Sequence, residues 1–272
     1  MTDYDEEKQH PFLSWDDYGT FSRSIREDRR YVWTKDVEWF LGAVMMTATD
    51  RELQINEGEI FFRAQKGIIE EGADELAGSY SLTGHHAERM LPRRNRASEG
   101  RANPLGIPVI YAATELITAI SEIRPWIGAQ VSVARLRTKR RLKAVNLSEG
   151  RGQNPLGLIK IPHLLGDEKM TSAELTRVVW ASIDQAFSKP VSRDEADVAD
   201  YAPTQILTEL FREGGYDAVI YHSQFGTDGQ NIAIFDLDSV DVIKCEPYEI
   251  KNVRVEATQI GNSWYAASDA AD

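Results

Sequence analysis

Four residues end apolar segments of the sequence and carry side chains able to do chemistry: Arg63, Tyr111, Glu122 and Ser223. Arg63 follows Ile60-Phe61-Phe62, and its planar guanidinium offers a fork of donors to a phosphate oxygen. Tyr111 lies within an apolar run and offers a ring for stacking together with a hydroxyl. Glu122 adds a carboxylate on a helix surface, and Ser223 a hydroxyl at a strand end. A polar side chain in such a place faces either a cleft or solvent. Four plain alternatives therefore stand beside the chemical ones: a solvent-facing strand end, a core tyrosine with a satisfied hydroxyl, a solvated carboxylate and a serine without a task. Upstream of Tyr111, the arginines 89, 93, 94, 96 and 101 form a local basic cluster suited to a dinucleotide's phosphates, or equally to a solvated loop balancing acidic neighbours.

Other chemistries lack their residues. His85 and His86 are adjacent, project differently and have no third ligand at metal spacing, so no metal site is expected. No GxSxG surrounds a serine, Cys245 lacks a nearby partner, and neither GxGxxG nor GxxxxGKS occurs. The single cysteine precludes an intrachain disulfide and suits a reducing compartment. With 43 acidic against 31 basic residues the chain carries a formal charge of -12, the wrong sign for coating nucleic acid or an anionic membrane. An anionic ligand thus needs a local exception to the overall charge. No run approaches the roughly 20 apolar residues of a membrane span, and the polar, acidic amino terminus lacks signal-peptide order, so a cytoplasmic location is expected.

The elements that position these residues follow from periodicity. Val37, Phe40, Leu41 and Val44 fall on one helical face behind the N-cap candidate Thr34. Ile60–Ala64 reads as a strand, and residues 65–103 as polar loop with some helix. Pro108–Ala113 is strand-like and leads into a helix whose face is Leu116, Ala119, Ile120 and Ile123, ended by Pro125, with Glu122 off that stripe in the last turn. Gln130–Leu136 and Leu142–Leu147 read as an antiparallel pair around the basic turn Arg137–Arg141. Thr171-Ser-Ala-Glu174 is a capping box for a helix closed by Pro190, and Pro203 opens another that stops at Gly214-Gly215. Ala218–Ser223, a turn at 226–229 and Asn231–Phe235 form a late hairpin. Helices first, then interleaved strands and helices, predict the α+β class with a mostly antiparallel or split sheet.

Three blocks of the chain resemble the RES-domain family, named for its Arg, Glu and Ser. They are Gly100-Arg-Ala-Asn-Pro-Leu-Gly-Ile-Pro-Val-Ile-Tyr-Ala-Ala113 with its continuation Thr118-Ala-Ile-Ser-Glu-Ile-Arg-Pro125, then Pro203-Thr-Gln with Gly215-Tyr-Asp-Ala-Val-Ile-Tyr-His-Ser223, and Asp228-Gly-Gln-Asn231. Ala102 stands where the family often has an aromatic. The resemblance covers roughly 58–245 and implies an ADP-ribosyltransferase-like fold. It divides the chain into a helical N-terminal extension (1–57), a catalytic domain (58–248) and a C-terminal tail (249–272).

The resemblance also implies an enzyme that cleaves NAD at the nicotinamide–ribose bond, by phosphorolysis or hydrolysis. NAD is then a substrate and not a cofactor, inorganic phosphate is a candidate co-substrate, and Arg63, Tyr111, Glu122 and Ser223 are the family's site residues. In that reading nicotinamide is a cationic leaving group and Glu122 steadies an oxocarbenium-like transition state. Arg63 clamps a phosphate, Tyr111 stacks on the nicotinamide or its ribose, and Ser223 bonds near that ribose or the attacking phosphate. Arg101 and Asn103 shape the pocket. Many family members are toxins blocked by a helix-turn-helix, Xre-like antitoxin. Alternatives on the same fold are a mono-ADP-ribosyltransferase acting on a protein and an inactive binding module. Residues before 57 and from 150 to 200 exceed a minimal domain and are open to three uses: a helical cap, a homodimer surface or an antitoxin site. Neither nucleic acid nor membrane is expected as a direct partner.

Overall fold

The computed structural model describes residues 10–71, 81–148, 153–189, 198–225 and 229–262. Helix α1 (Asp17–Arg23) passes into one π turn, Ser24–Asp28, and α2 (Lys35–Ala48) follows. Thr34 caps α2 by accepting the Val37 N–H at 3.3 Å, and Val37, Phe40, Leu41 and Val44 are all buried. Next come β1 (Glu52–Ile55), β2 (Ile60–Lys66), a small hairpin of β3 (Ile69–Glu71) and β4 (Ser81–Thr83), and the short α3 (Ala87–Met90). Strand β5 (Ile110–Ala113) leads into α4 (Leu116–Glu122), then β6 (Gln130–Thr138) and β7 (Leu142–Asn146). Helices α5 (Ile161–Leu165), α6 (Ser172–Ser188) and α7 (Ala202–Glu213) precede β8 (Ala218–His222), β9 (Gln230–Ile234) and β10 (Val240–Glu249). The capping box at α6 is present, with Thr171 and Glu174 exchanging side-chain and backbone bonds. The closing Pro190 and positions 226–228 of the late turn lie outside the described residues.

Eight strands form one sheet in the order β1-β7-β8-β9-β5-β2-β6-β10, antiparallel except where β7 runs alongside β8. The α+β reading with a mostly antiparallel sheet holds, and so does the β8–β9 hairpin. The expected β6–β7 pair does not form. β6 pairs with β2 and β10, whereas β7 pairs with β1 and β8. Apolar residues from both, Leu136 on β6 and Leu142 on β7, nevertheless share one buried cluster with Ile110, Ile220, Ile232 and Val240. The sheet therefore curls over that cluster, and the basic link turns a corner between facing half-sheets where a hairpin was expected.

The seam between the halves is visible in the register. β2 follows β6 from Ile60↔Arg137 to Lys66↔Val131, but meets β5 only at Phe62↔Ala113. On one side of the seam α4 packs Ala119 and Ile120 against Ala64, Ala113, Val131 and Val133.

The boundary expected at 57/58 falls between two strands of the same sheet, since β1 pairs with β7 and β2 lies inside the sheet. Phe12, ahead of α1, and Phe21, Phe40 and Val44 on the first two helices join Trp180, Phe211, Val219 and Phe235 in one core. Phe21 and Phe40 stack at 4.7 Å between ring centroids, and Trp180 Nε1 donates to Thr47 Oγ1 at 3.0 Å. Residues 10–48 thus form a wall of the main core because the β7–β9 face is apolar and needs a cover. Phe40→Ala is expected to cost about 3–5 kcal/mol and to shift a single cooperative denaturant transition of the whole chain. A mutant that loses only a separate early transition, leaving the main one in place, would make residues 10–48 an independent cap.

Candidate active site

A cavity of about 660 Å³ opens where β2 and β5 part, a volume usual for a small-ligand site. β2 contributes Arg63 and Lys66 to its lining, β5 Tyr111, the end of α4 Glu122, β8 Tyr221 and β9 Asn231. Arg63, Tyr111 and Glu122 are thereby brought together from positions scattered through the chain.

Arg63 holds the seam. Its Nη1 donates to the Tyr111 carbonyl at 2.6 Å, a backbone acceptor on the strand that β2 has stopped pairing with. Burial lowers the guanidinium's pKa to about 10, so it remains a cation at neutral pH. Its Nε is buried and has no partner among the described protein groups. An unmet buried donor costs roughly 1–3 kcal/mol, and the part of the guanidinium that lines the cavity gives an anion a charge-assisted donor.

Glu122 is held from behind. Ser223 Oγ donates to its Oε1 at 2.7 Å, and Asn231 Nδ2 donates to the same oxygen at 2.5 Å. No described residue donates to Oε2, so a single carboxylate oxygen is left for a ligand. The Ser223 oxygen also accepts the Phe225 N–H at 3.1 Å, and the residue is 1% exposed and absent from the cavity lining. With its proton and a lone pair engaged, Ser223 positions Glu122 and does not face the cavity, in contrast to the ribose or phosphate contact expected from the sequence. Asn231 is the residue that sequence reasoning did not single out; its place two positions after Gly229 was the available signal. A Cβ on Gly229 would collide with the Thr118 side chain on α4, so only glycine lets the start of β9 approach the helix and set Asn231 beside Glu122.

Tyr111 divides its functions between ring and hydroxyl. The ring lines the cavity, while the hydroxyl donates to Asn103 Oδ1 at 2.6 Å and accepts the Ala102 N–H at 2.9 Å. Burial pushes its pKa well above the usual phenol value. Asn103 is buried and donates to the carbonyls of Ser98, Pro104 and Ile107, so it organises the loop and stays outside the cavity lining. Gly100 is required there, because a Cβ would press on the Tyr111 hydroxyl. Gln205 on α7 fastens the same loop by donating to the Gly100 and Asn103 carbonyls at 2.9 and 3.0 Å. Arg101 also departs from expectation. Its guanidinium donates to the carbonyls of Phe187 and Lys189, capping the end of α6, where orphan carbonyls favour a cation.

The charges around the cavity run against the chain's total. Arg63, Lys66, Arg89 and Arg124 line it against one carboxylate, Glu122, in a chain of formal charge -12. Of the basic cluster read from the sequence, Arg89 alone reaches this lining, while Arg94 pairs with Asp238 at 2.6 Å.

The family model for the RES domain matches residues 79–256. No curated protein matches the chain. Among solved structures, a chain in the crystal structure of the M. tuberculosis MbcT-MbcA toxin-antitoxin complex is similar at 13% identity. That match covers 76% of this chain and 92% of that one with a TM-score of 0.37, too loose a likeness to equate the two strand by strand. The family model spans well over half of the sequence and takes in both Glu122 and Ser223, and the chain belongs to the RES domain family.

Proposed function

We propose that the cavity binds NAD and that the chain breaks its nicotinamide–ribose bond. One observation carries this reading: a single carboxylate, anchored through one oxygen, faces a cavity otherwise charged by four cations. NAD has the matching polarity, an anionic pyrophosphate joined to a ribose whose leaving group is already cationic. Membership in the RES family supports the same substrate.

Departure of nicotinamide from such a cation needs no general acid, and positive charge then grows on the ribose as in glycoside cleavage. Glu122 Oε2 supplies the opposing charge. Ser223 and Asn231 hold the carboxylate in place beforehand, so little reorganisation is needed as the charge develops. The part of the Arg63 guanidinium that lines the cavity offers a charged donor to a phosphate oxygen, either of NAD or of an attacking inorganic phosphate. The Tyr111 ring stacks beside the nicotinamide or its ribose. A role as the toxin of a toxin–antitoxin pair, with a protein antitoxin closing this cavity, follows from the family reading.

Purified protein incubated with NAD is expected to release nicotinamide. Phosphate in the buffer directs the other product to ADP-ribose 1-phosphate, and its absence to ADP-ribose; label retained on protein would instead mark an ADP-ribosyltransferase. Glu122→Ala should lower kcat by about 10²–10³ while KM for NAD changes little. NAD left intact by the wild type, or consumed as fast by the variant, overturns the reading. Induced expression in a bacterial host should deplete NAD and halt growth, and Glu122→Ala should do neither.

Tyr111→Phe separates the ring from the hydroxyl. It strands the Asn103 acceptor and the Ala102 donor and should cost roughly 1–3 kcal/mol of stability, seen as a lower thermal midpoint. Turnover at a temperature where the variant is folded should stay within a few-fold of wild type; a loss as large as that of Glu122→Ala would place the hydroxyl in the chemistry.

A further inference from the structure

Three cations stand on the open side of the cavity, Lys66, Arg89 and Arg124, each without a carboxylate partner among the described residues. Arg124 is the most informative of them. It has φ 46°, and it is the one non-glycine residue with positive φ among the described residues. It directly follows the last turn of α4, where glycine is the usual occupant of a left-handed position, and it precedes Pro125, which itself favours extended backbone. The fold takes little from this side chain in return. Among the described residues the guanidinium makes no hydrogen bond or ion pair; it lines the cavity and lies 5.3 Å from the Phe225 ring centroid. An L side chain kept in a conformation that glycine would adopt freely points to what the guanidinium does for a ligand.

The neighbouring rim fits the same ligand. Trp126, two residues further on, is 63% exposed, and Lys66 Nζ sits 5.2 Å from its ring centroid. Lys66 in turn lines the cavity. A cation pair beside an open indole is the arrangement that takes phosphates together with a stacked base. Glu122 and Arg124 share one helix end, so this rim lies beside the carboxylate proposed to face the ribose.

We propose that Arg124, Lys66 and Trp126 form a second subsite for the nucleoside diphosphate half of the substrate. Arg124 and Lys66 hold the phosphates, and the indole holds the base. The proposal rests on the NAD reading of the cavity and adds to it a preference for the dinucleotide over nicotinamide mononucleotide, which cannot span the rim.

The test is equilibrium binding of ADP to the full chain, followed by titration calorimetry for wild type, Arg124→Gly and Trp126→Ala. Glycine tolerates positive φ, so Arg124→Gly should keep or raise the thermal midpoint. Against that background its ADP affinity should fall on the order of tenfold or more, Trp126→Ala should weaken ADP as well, and the preference for NAD over nicotinamide mononucleotide in kcat/KM should collapse. Failure of the wild type to bind ADP, or equal ADP affinity in wild type and Arg124→Gly, overturns the subsite. If ADP binding behaves as expected while NAD is never cleaved, the proposed reaction fails and the subsite stands. Turnover of NAD with an ADP affinity indifferent to Arg124→Gly defeats the subsite alone.

Discussion

The hydrogen bond from Arg63 to the Tyr111 carbonyl decides where this molecule has a site. Strands β2 and β5 are neighbours in the sheet but share only the Phe62↔Ala113 pair. Beyond it the ladder is open, and the backbone groups facing the gap need other partners. A guanidinium spans that gap with one donor, an interaction to a charged group worth roughly 1.5–3 kcal/mol. A shorter side chain would leave the Tyr111 carbonyl unmet, and an unbroken ladder would leave no cavity. The sheet is therefore held together and held open by the same residue, which also leaves a half-buried cation lining the opening.

On the opposite wall a carboxylate is presented with equal economy of freedom. Serine and asparagine both take Oε1, so the rotation of Glu122 is restrained while Oε2 stays free. That arrangement depends on close approach between α4 and the start of β9, which Gly229 permits. It also separates two kinds of residue that a motif treats alike. Glu122 and Arg63 line the cavity, whereas Ser223 and Asn103 lie behind it and hold Glu122 and Tyr111. Electrostatically the cavity inverts the surface. Cations confined in a concave wall focus their field inward even though the whole chain is strongly acidic.

Much of this was legible in the sequence, and the reasons for the remainder are specific. Leu116, Ala119, Ile120 and Ile123 define the α4 face, so Glu122 had to lie outside the core; periodicity suffices for that. Periodicity does not say that Ser223 and Asn231, over a hundred residues away, meet its carboxylate. Arg101 belongs to the same basic cluster as Arg89, yet its reach to the end of α6 depends on the loop that Tyr111, Asn103 and Gln205 tie down. The β6–β7 link looked like a hairpin because two alternating segments flanked a short polar turn. The same pattern also describes a corner between facing half-sheets, and only non-local pairing with β10 and β1 distinguishes the two. The first helices read as an appendage because their apolar face carries no trace of its partner, which is the far side of β7, β8 and β9.

These asymmetries bear on how the site responds to a ligand. The β7–β9 half is backed by the helices of the large core, which includes Phe40, Trp180 and Phe211, and the β2–β6–β10 half joins it through the curled cluster and the seam. Within the fold the Nε of Arg63 is left without an acceptor at that seam. An anion held by the part of the guanidinium that lines the cavity would tie β2 to whatever holds the rest of the ligand on α4. Binding that is confined to the folded state adds RT ln(1 + [L]/Kd) to stability, and here the ligand contact would lie at the most sparsely paired junction of the sheet. Occupancy of the cavity and integrity of the seam are thus linked through one side chain, and the residue that makes the opening possible is the one a ligand reinforces.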